Sequence, residues 1–205
     1  MFADIVFPKN NEQEFVQIAS RLGIKKLYFT YDFNYYNEEK IQKKIDALKQ
    51  NGLSIKTAII VNQKNLSKML HNSKPLIAKS SDSDRLLIDG KKIKLIYGFE
   101  QINRKDYLSQ RASGLNHITC EAAKKNNVAI GFCYSSLLGK NYPAYLLIGR
   151  MMQNISFCQK YKVKTIIGSF SENPFDLRAP HDVAGMFAML GMDGKKIKES
   201  LMHSL

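Results

Sequence analysis

The sequence predicts an α/β fold in which about seven parallel strands alternate with eight or more helical segments in a single domain, residues 1–205. Three observations lead there. Aliphatic runs such as Leu53 to Val61 and Val128 to Tyr134 are almost continuous, as in parallel strands covered on both faces. Between them lie stripes of apolar residues at helical spacing, opened by Asn or Pro and closed by Gly. A chain of 205 residues makes one sizeable core and not two comfortable ones. No linker, low-complexity stretch or repeat longer than the βα unit interrupts it. A closed barrel and an open doubly wound sheet both fit, and in either the strand-to-helix junctions gather at one rim.

Residues 2–7 read as a buried strand stopped by Pro8. Asn11 then caps a helix, with Glu14 at the capping-box position and Phe15, Ile18, Ala19 and Leu22 on one stripe. Gly23 ends it, and Leu27 to Tyr31 is the second strand. Asn37 starts a second helix with Glu38 and Glu39 at its positive end and Ile41, Ile45 and Leu48 inward. Gly52 closes that helix, and Leu53 to Val61 is the third strand. A short helix through Leu66, Met69 and Leu70 precedes a strand at Leu76 to Lys79. Asp82 to Asp89 forms one or two helical turns, and Ile93 to Phe99 another strand. Ser113 opens a helix through Leu115, Ile118 and Ala122, followed by strand 128–134. A long helix carries Ile148, Met151, Met152, Ile155 and Cys158, and Thr165 to Ser169 is the final strand. Pro180 suits the first turn of a helix with Val183, Phe187 and Leu190 inside, and Lys195 to Leu201 forms the last helix.

Lys and Arg number 31 against 18 Asp and Glu, a net charge of +13. Charge says nothing of fold, but it favours a polyanionic partner over the alternative of a Lys-rich surface serving solubility. Cys120, Cys133 and Cys158 are odd in number, never spaced as Cys-x-x-Cys, and sit at apolar positions, so buried free thiols in a reducing compartment are expected. No apolar run reaches the roughly 18 residues of a membrane span, and the first residues do not resemble a signal peptide. An intracellular, cytoplasmic protein with no membrane partner is expected. The four histidines, at 71, 117, 181 and 203, include no His-x-His pair and none near a Cys cluster, so no metal site is expected. Gly-x-Ser-x-Gly, Walker and Gly-x-Gly-x-x-Gly motifs are absent. A phosphate-binding turn at Gly168-Ser169 is weighed against simple close packing of that strand.

Ser113-Gly114-Leu115-Asn116-His117, followed by the apolar strand after Lys124-Lys125, resembles the protein component 3 family of archaeal ribonuclease P. That family is related to the eukaryotic thirty-kilodalton subunit of the same enzyme. Gln159-Lys160-Tyr161-Lys162-Val163, the strand into Ser169, Phe175-Asp176-Leu177-Arg178-Ala179-Pro180-His181-Asp182 and Leu190-Gly191-Met192-Asp193 extend the likeness over 107–198. Before residue 107 it is architectural only. The resemblance implies a TIM-barrel-like barrel of seven strands, similar to the polymerase-and-histidinol-phosphatase group without its metal ligands. It implies an RNA-binding subunit of the ribonucleoprotein endonuclease that removes the 5′ leader of precursor tRNA. The RNA subunit, with Mg2+ expected there, carries the hydrolysis, and the protein holds no cofactor and is not catalytic alone. Its expected partners are ribonuclease P RNA, precursor tRNA within the holoenzyme, the ferredoxin-like protein component 2 and other ribonuclease P proteins.

Such a role needs dispersed cations, because folded RNA is read by shape, phosphates and 2′-hydroxyls. Arg111 projects from a loop after a strand, as a phosphate contact or a structural ion pair. His117, one turn into its helix, is a 2′-hydroxyl or base-edge contact or a packing residue. Arg178 and Asp182 lie at a helix mouth, Asp182 either orienting Arg178 for phosphate or closing a self-contained pair. Lys162 and Lys164 flank the start of the last strand on the opposite rim. Lys43 and Lys44 lie on a polar helix face, Lys125 ends a helix, and Lys198 lies on the last one. Lys91, Lys92 and Lys94 form the densest basic run, and Tyr134 and Tyr142 are weighed as base-stacking groups against packing. Two rivals stand beside the RNA subunit. One is a small αβ-barrel enzyme acting on a phosphorylated metabolite, with Arg111 and Arg178 as anchors and Asp4 or Glu100 as general base. The other is a basic scaffold of a different RNA complex.

Overall fold

Each aliphatic run becomes a strand in the computed structural model, which describes residues 1–48, 52–69, 73–102, 105–139 and 141–205. The strands are β1 Ala3–Val6, β2 Lys26–Asp32, β3 Ser54–Val61, β4 Leu76–Lys79, β5 Leu95–Tyr97, β6 Ala129–Cys133 and β7 Thr165–Gly168. They pair in parallel in strict chain order. A doubly wound sheet reverses its strand order at one point; this one does not, and its two edges meet. Val6 bridges Ser171, Phe170 N–H donates to the Ile5 carbonyl (2.8 Å), and Phe7 N–H to the Ser171 carbonyl (2.9 Å). The architecture is a nearly closed, seven-stranded TIM-barrel-like barrel.

Among the described residues eight α-helices surround it: α1 Glu12–Arg21, α2 Glu38–Ala47, α3 Gln63–Leu66, α4 Asp84–Asp89, α5 His117–Lys125, α6 Ala144–Tyr161, α7 Pro180–Met189 and α8 Gly194–Leu201. Asn37 caps α2 through Lys40 N–H (3.0 Å) as expected. Asn11 does not form the expected capping box with Glu14. Its Oδ1 accepts from Lys9 N–H (2.8 Å) and its Nδ2 donates to the Glu172 carbonyl (3.0 Å), joining the loops that follow β1 and β7. The helix expected from Ser113 begins at His117 instead, because Gly114 takes a left-handed φ of 79° and Asn116 is the cap, accepting from Thr119 N–H (2.9 Å). Leu70 and His71 fall outside the described residues.

Strand alternation divides the apolar residues between two compartments. The bore holds Ala3, Ile5, Tyr28, Ala58, Ile77, Leu95, Tyr97, Ala129, Cys133, Ile166 and Phe170, while the opposite strand faces pack under the helices. Near the carboxyl ends of the strands Tyr97 and Phe170 stack 4.4 Å apart at 9°, and Phe7 packs against both. Gly131 makes room for that stack: a Cβ there would lie 2.7 Å from Tyr97 Cβ and 3.1 Å from Phe170 Cζ. At the other end of the bore residues after α8 form a floor. His203 is buried and stacks on Tyr28 at 5.8 Å, and Leu205 N–H donates to the Tyr28 hydroxyl (3.0 Å). Cys120, Cys133 and Cys158 are buried free thiols.

Asp4 locks the seam between β1 and β7. By alternation it faces the helix layer, where its carboxylate accepts Ser169 N–H (2.6 Å), the Tyr134 hydroxyl (2.7 Å) and Ile5 N–H (2.7 Å). Burial raises the carboxyl from 3.8 to about 6, against those hydrogen bonds, which lower it. The folded chain therefore holds a proton that the unfolded chain has released. This contribution to stability is complete below about pH 3.8 and is lost as pH rises through about 6. Asp4→Asn keeps the acceptor and removes the titration. Denaturation curves between pH 4 and 7 should show the parent losing more stability across this window than the variant; parallel pH profiles would contradict the assignment.

Candidate nucleic-acid interface

The carboxyl ends of the strands carry the first group of candidate residues, and a buried polar network beneath α6 sets their positions. Arg150 is fully buried in the middle of α6. Its Nε donates to Asp106 Oδ1 (2.8 Å) and an Nη donates to the Glu100 carbonyl (2.8 Å). One turn on, Asn154 Nδ2 donates to Glu100 Oε1 and to the Ser113 carbonyl, both at 2.9 Å. Asp106 in turn accepts Ala112 N–H (2.8 Å). The segment from Asp106 to Ser113 is thus tied to one helix face at its two ends and braced internally by Asp106. Burial raises the Glu100 carboxyl from 4.5 to about 7, opposed by Asn154, the backbone and Arg150. Burial works the same way on Asp106, but the Ala112 N–H, Arg150 and Arg111 together hold it below the ordinary carboxylate range.

Arg111 sits on the outside of this network. Its guanidinium lies over Gly149 of α6, where a Cβ would come within 2.8 Å of Nε, and the side chain is exposed. Glycine here provides the flat seat that lets a cation lie against a helix while its N–H groups face solvent. His117, the first residue of α5, is exposed on the same rim.

Arg178 lies in the loop between β7 and α7. Tyr134 connects it to the seam, donating its hydroxyl proton to Asp4 Oδ2 (2.7 Å) and accepting Arg178 N–H (3.3 Å). This buries Tyr134, so it is not a base-stacking platform. An Arg178 Nη donates to the carbonyls of Phe175 and Leu177, each at 2.8 Å, and the residue as a whole is exposed. Asp182 does not orient Arg178. It faces His181, Nε2 to Oδ1 at 2.9 Å. Pro180 begins the helix, which leaves Ala179 and Leu177 extended, so the four-residue spacing expected of a helical pair does not apply.

Lys43 is exposed on α2, whereas Lys44 Nζ turns to Asn10 Oδ1 (2.9 Å) and faces the nearly buried Glu12 at 3.5 Å. Lys125 ends α5, Lys162 caps α6 in a left-handed conformation, Lys164 precedes β7 and Lys198 lies on α8; all four are exposed. The structure therefore does not collect the ten candidates into one site. Arg111, His117, Arg178 and Asp182 belong to the carboxyl rim, and Lys125, Lys162 and Lys164 lie toward the strand starts.

A cleft of about 930 Å³ opens over the aromatic stack at the barrel mouth. Its walls include Lys40, Lys79, Thr30, Tyr35 and Ser135, but not Arg111, Arg178, Asp4 or Glu100. The metabolite-enzyme arrangement thus fails on geometry, since its anchors and its bases do not share a cavity and both carboxylates are buried in structural roles. Among the described residues no three His, Cys, Asp or Glu side chains cluster to hold a metal, and no helix is long and apolar enough to cross a membrane.

The buried network was missed from sequence although a signal exists. Arg150 and Asn154 lie four apart on the face that carries Leu147, Met151, Ile155 and Cys158. Polar residues in such a stripe need buried partners.

Comparison with known proteins agrees with this geometry. Ribonuclease P protein component 3 of Methanococcus maripaludis strain C6 is 24% identical over 197 residues, covering 92% of this chain and 84% of the relative. The Methanosarcina acetivorans protein of the same description is 29% identical over 163 residues, covering 73% and 64%. A chain in the cryo-EM structure of archaeal ribonuclease P with mature tRNA superposes at a TM-score of 0.78 with 16% identity, covering 97% of this chain and 87% of that one. The family model described as RNase P subunit p30 matches residues 1–204. With a match of that extent on a seven-stranded parallel barrel, the chain belongs to the RNase P subunit p30 family.

Proposed function

We propose that the chain is a non-catalytic, RNA-binding protein subunit of a ribonuclease P that removes the 5′ leader of precursor tRNA. The observation that carries this reading is the family match over residues 1–204 on a chain of net charge +13. The absence of a shared cavity for anchors and bases supports it. Hydrolysis then belongs to the RNA and its Mg2+, and the protein lowers the repulsion between RNA segments that must fold together. Exposed Arg111 and Arg178 suit this work, because a guanidinium offers phosphate two parallel N–H donors. The ferredoxin-like protein component 2 and the other ribonuclease P proteins are the companions this reading expects, in the cytoplasm.

Reconstitution tests it. Precursor tRNA cleavage by the RNA and the other proteins should need more magnesium when this chain is omitted, and the chain alone should cleave nothing. Unchanged magnesium dependence on omission would remove the proposal. Arg111→Gln and Arg178→Gln should each lower the slope of log affinity against log salt by about 0.9, as expected when one phosphate is no longer neutralised. Titration of a structured RNA at several salt concentrations measures it, with thermal melts to confirm the fold.

A further inference from the structure

The starts of the strands repeat one residue type. Lys25 precedes and Lys26 opens β2, Lys56 is the third residue of β3, Lys74 precedes β4, and Lys92 and Lys94 precede β5. Lys124 and Lys125 end the helix that leads into β6, and Lys162 and Lys164 precede β7. Six of the seven strands, β2 to β7, are therefore approached or opened through lysine, and none of these short segments (24–26, 54–56, 73–75, 91–94, 124–128, 162–164) contains Asp, Glu or an aromatic residue.

The fold makes these lysines one surface. His203 and Leu205, which floor the bore, join its two halves. Lys26 and Lys164 lie close enough to His203 that, after burial, their charges contribute to lowering its imidazole to about 4. Leu205 shares a groove of about 280 Å³ with Lys74, Lys92 and Lys94. Lys74 is engaged by Glu38 at 3.5 Å, but Lys26, Lys92, Lys94 and Lys164 make no ion pair among the described residues. Concentrating the remaining like charges on one face costs the folded chain self-repulsion, which a polyanion relieves.

We infer that the strand-start rim is a second RNA-binding face, which takes the phosphate backbone of a double-helical RNA element. The inference rests on the RNA-subunit reading above and adds to it a surface at the opposite end of the barrel from Arg111 and Arg178. Lysine is a mobile point charge suited to phosphates and carries no bidentate base-reading geometry, so this face positions RNA without reading its sequence. Its lysines are anchored through their backbones near the starts of strands spaced about 4.8 Å apart. An array held that way matches a regular backbone, and the lysine-bearing segments before β2 to β7 carry no aromatic residue on which unpaired bases would stack. α6 crosses from one rim to the other over 18 residues, about 27 Å. The RNA segment met here is accordingly distinct from the one met by Arg111 and Arg178.

The test is a Lys26, Lys92, Lys94 and Lys164 quadruple replacement by Gln in the full chain, titrated against a fully paired RNA stem-loop and an unpaired RNA oligomer at several salt concentrations. Lys92, Lys94 and Lys164 are exposed, and Lys26 is half-buried with its ammonium 5.9 Å from the Tyr28 ring. Thermal melts of the variant therefore accompany the titration. If the fold is disturbed, Lys92, Lys94 and Lys164 replaced without Lys26 give the same reading, lower by one lysine. The expected result is a salt slope lower by about 3–4 on the paired stem, about 0.9 for each phosphate left without its lysine. Combining it with Arg111→Gln and Arg178→Gln should add the separate effects on log affinity. A steep parental slope that the quadruple variant leaves unchanged would overturn this face while sparing the RNA-subunit reading. Tighter parental binding to the unpaired oligomer would overturn the duplex assignment. A parent that binds the stem without salt dependence would overturn both readings.

Discussion

Arg150→Met is expected to destabilise the chain by about 2–3 kcal/mol, because it removes the donor of partly exposed Asp106 and leaves the buried Glu100 carbonyl unpaired. Methionine keeps most of the aliphatic stem, so packing along α6 is largely preserved and the drop in stability reports the guanidinium. Asp106 loses the donor at 2.8 Å, and the Glu100 carbonyl, inside the core, loses its own at 2.8 Å. Chemical denaturation measures the stability. The consequence should extend to binding, since Asp106 also anchors Ala112 N–H next to Arg111. Released from the helix, Arg111 contributes less to RNA affinity although its own side chain is intact. A change below about 1 kcal/mol would show that the network is incidental to the fold.

Gly114→Ala should cost about 2–5 kcal/mol, from two additive causes. The backbone at 114 has φ of 79°, which an L side chain rarely adopts, and a Cβ would lie 2.5 Å from the Phe99 carbonyl oxygen and 3.1 Å from Ile102 Cδ1. Phe99 lies in a short 3-10 turn within the buried core and has little room to yield. Gly191→Ala separates the causes. Its φ is 90° but nothing lies within 4 Å of the new methyl, so only the backbone cost of about 1 kcal/mol applies. Equal destabilisation at the two positions, read from denaturation midpoints and slopes, would mean that the clash with Phe99 contributes nothing.

The aliphatic runs were legible because parallel strands covered on both faces have nothing but their own apolar character to show. Closure was not. The link between β1 and β7 is made by Phe170 and Ser171, past the end of the last strand, to partners about 165 positions earlier. Local patterns misled where a side chain found a more distant partner. Asn11 has the composition of a cap, yet it spans two loops. Arg178 and Asp182 have helical spacing, yet only Asp182 is in the helix. Of the candidate site, individual cations at the rims were legible from their positions after and before strands. Which of them share a face was not, because that depends on strand order and on where residues 203–205 settle.

The seam and the floor also set a schedule for biosynthesis. Asp4 and Ile5 reach their partners only when Ser169 and Phe170 exist, and Tyr28 waits for residues 203–205. A nascent polypeptide that has emerged through β6 presents two unpaired edges, on β1 and β6, to whatever surrounds the ribosome. Contacts of such separation form slowly. The interval before residues 165–205 emerge is when this protein is most open to chaperones, and to aggregation.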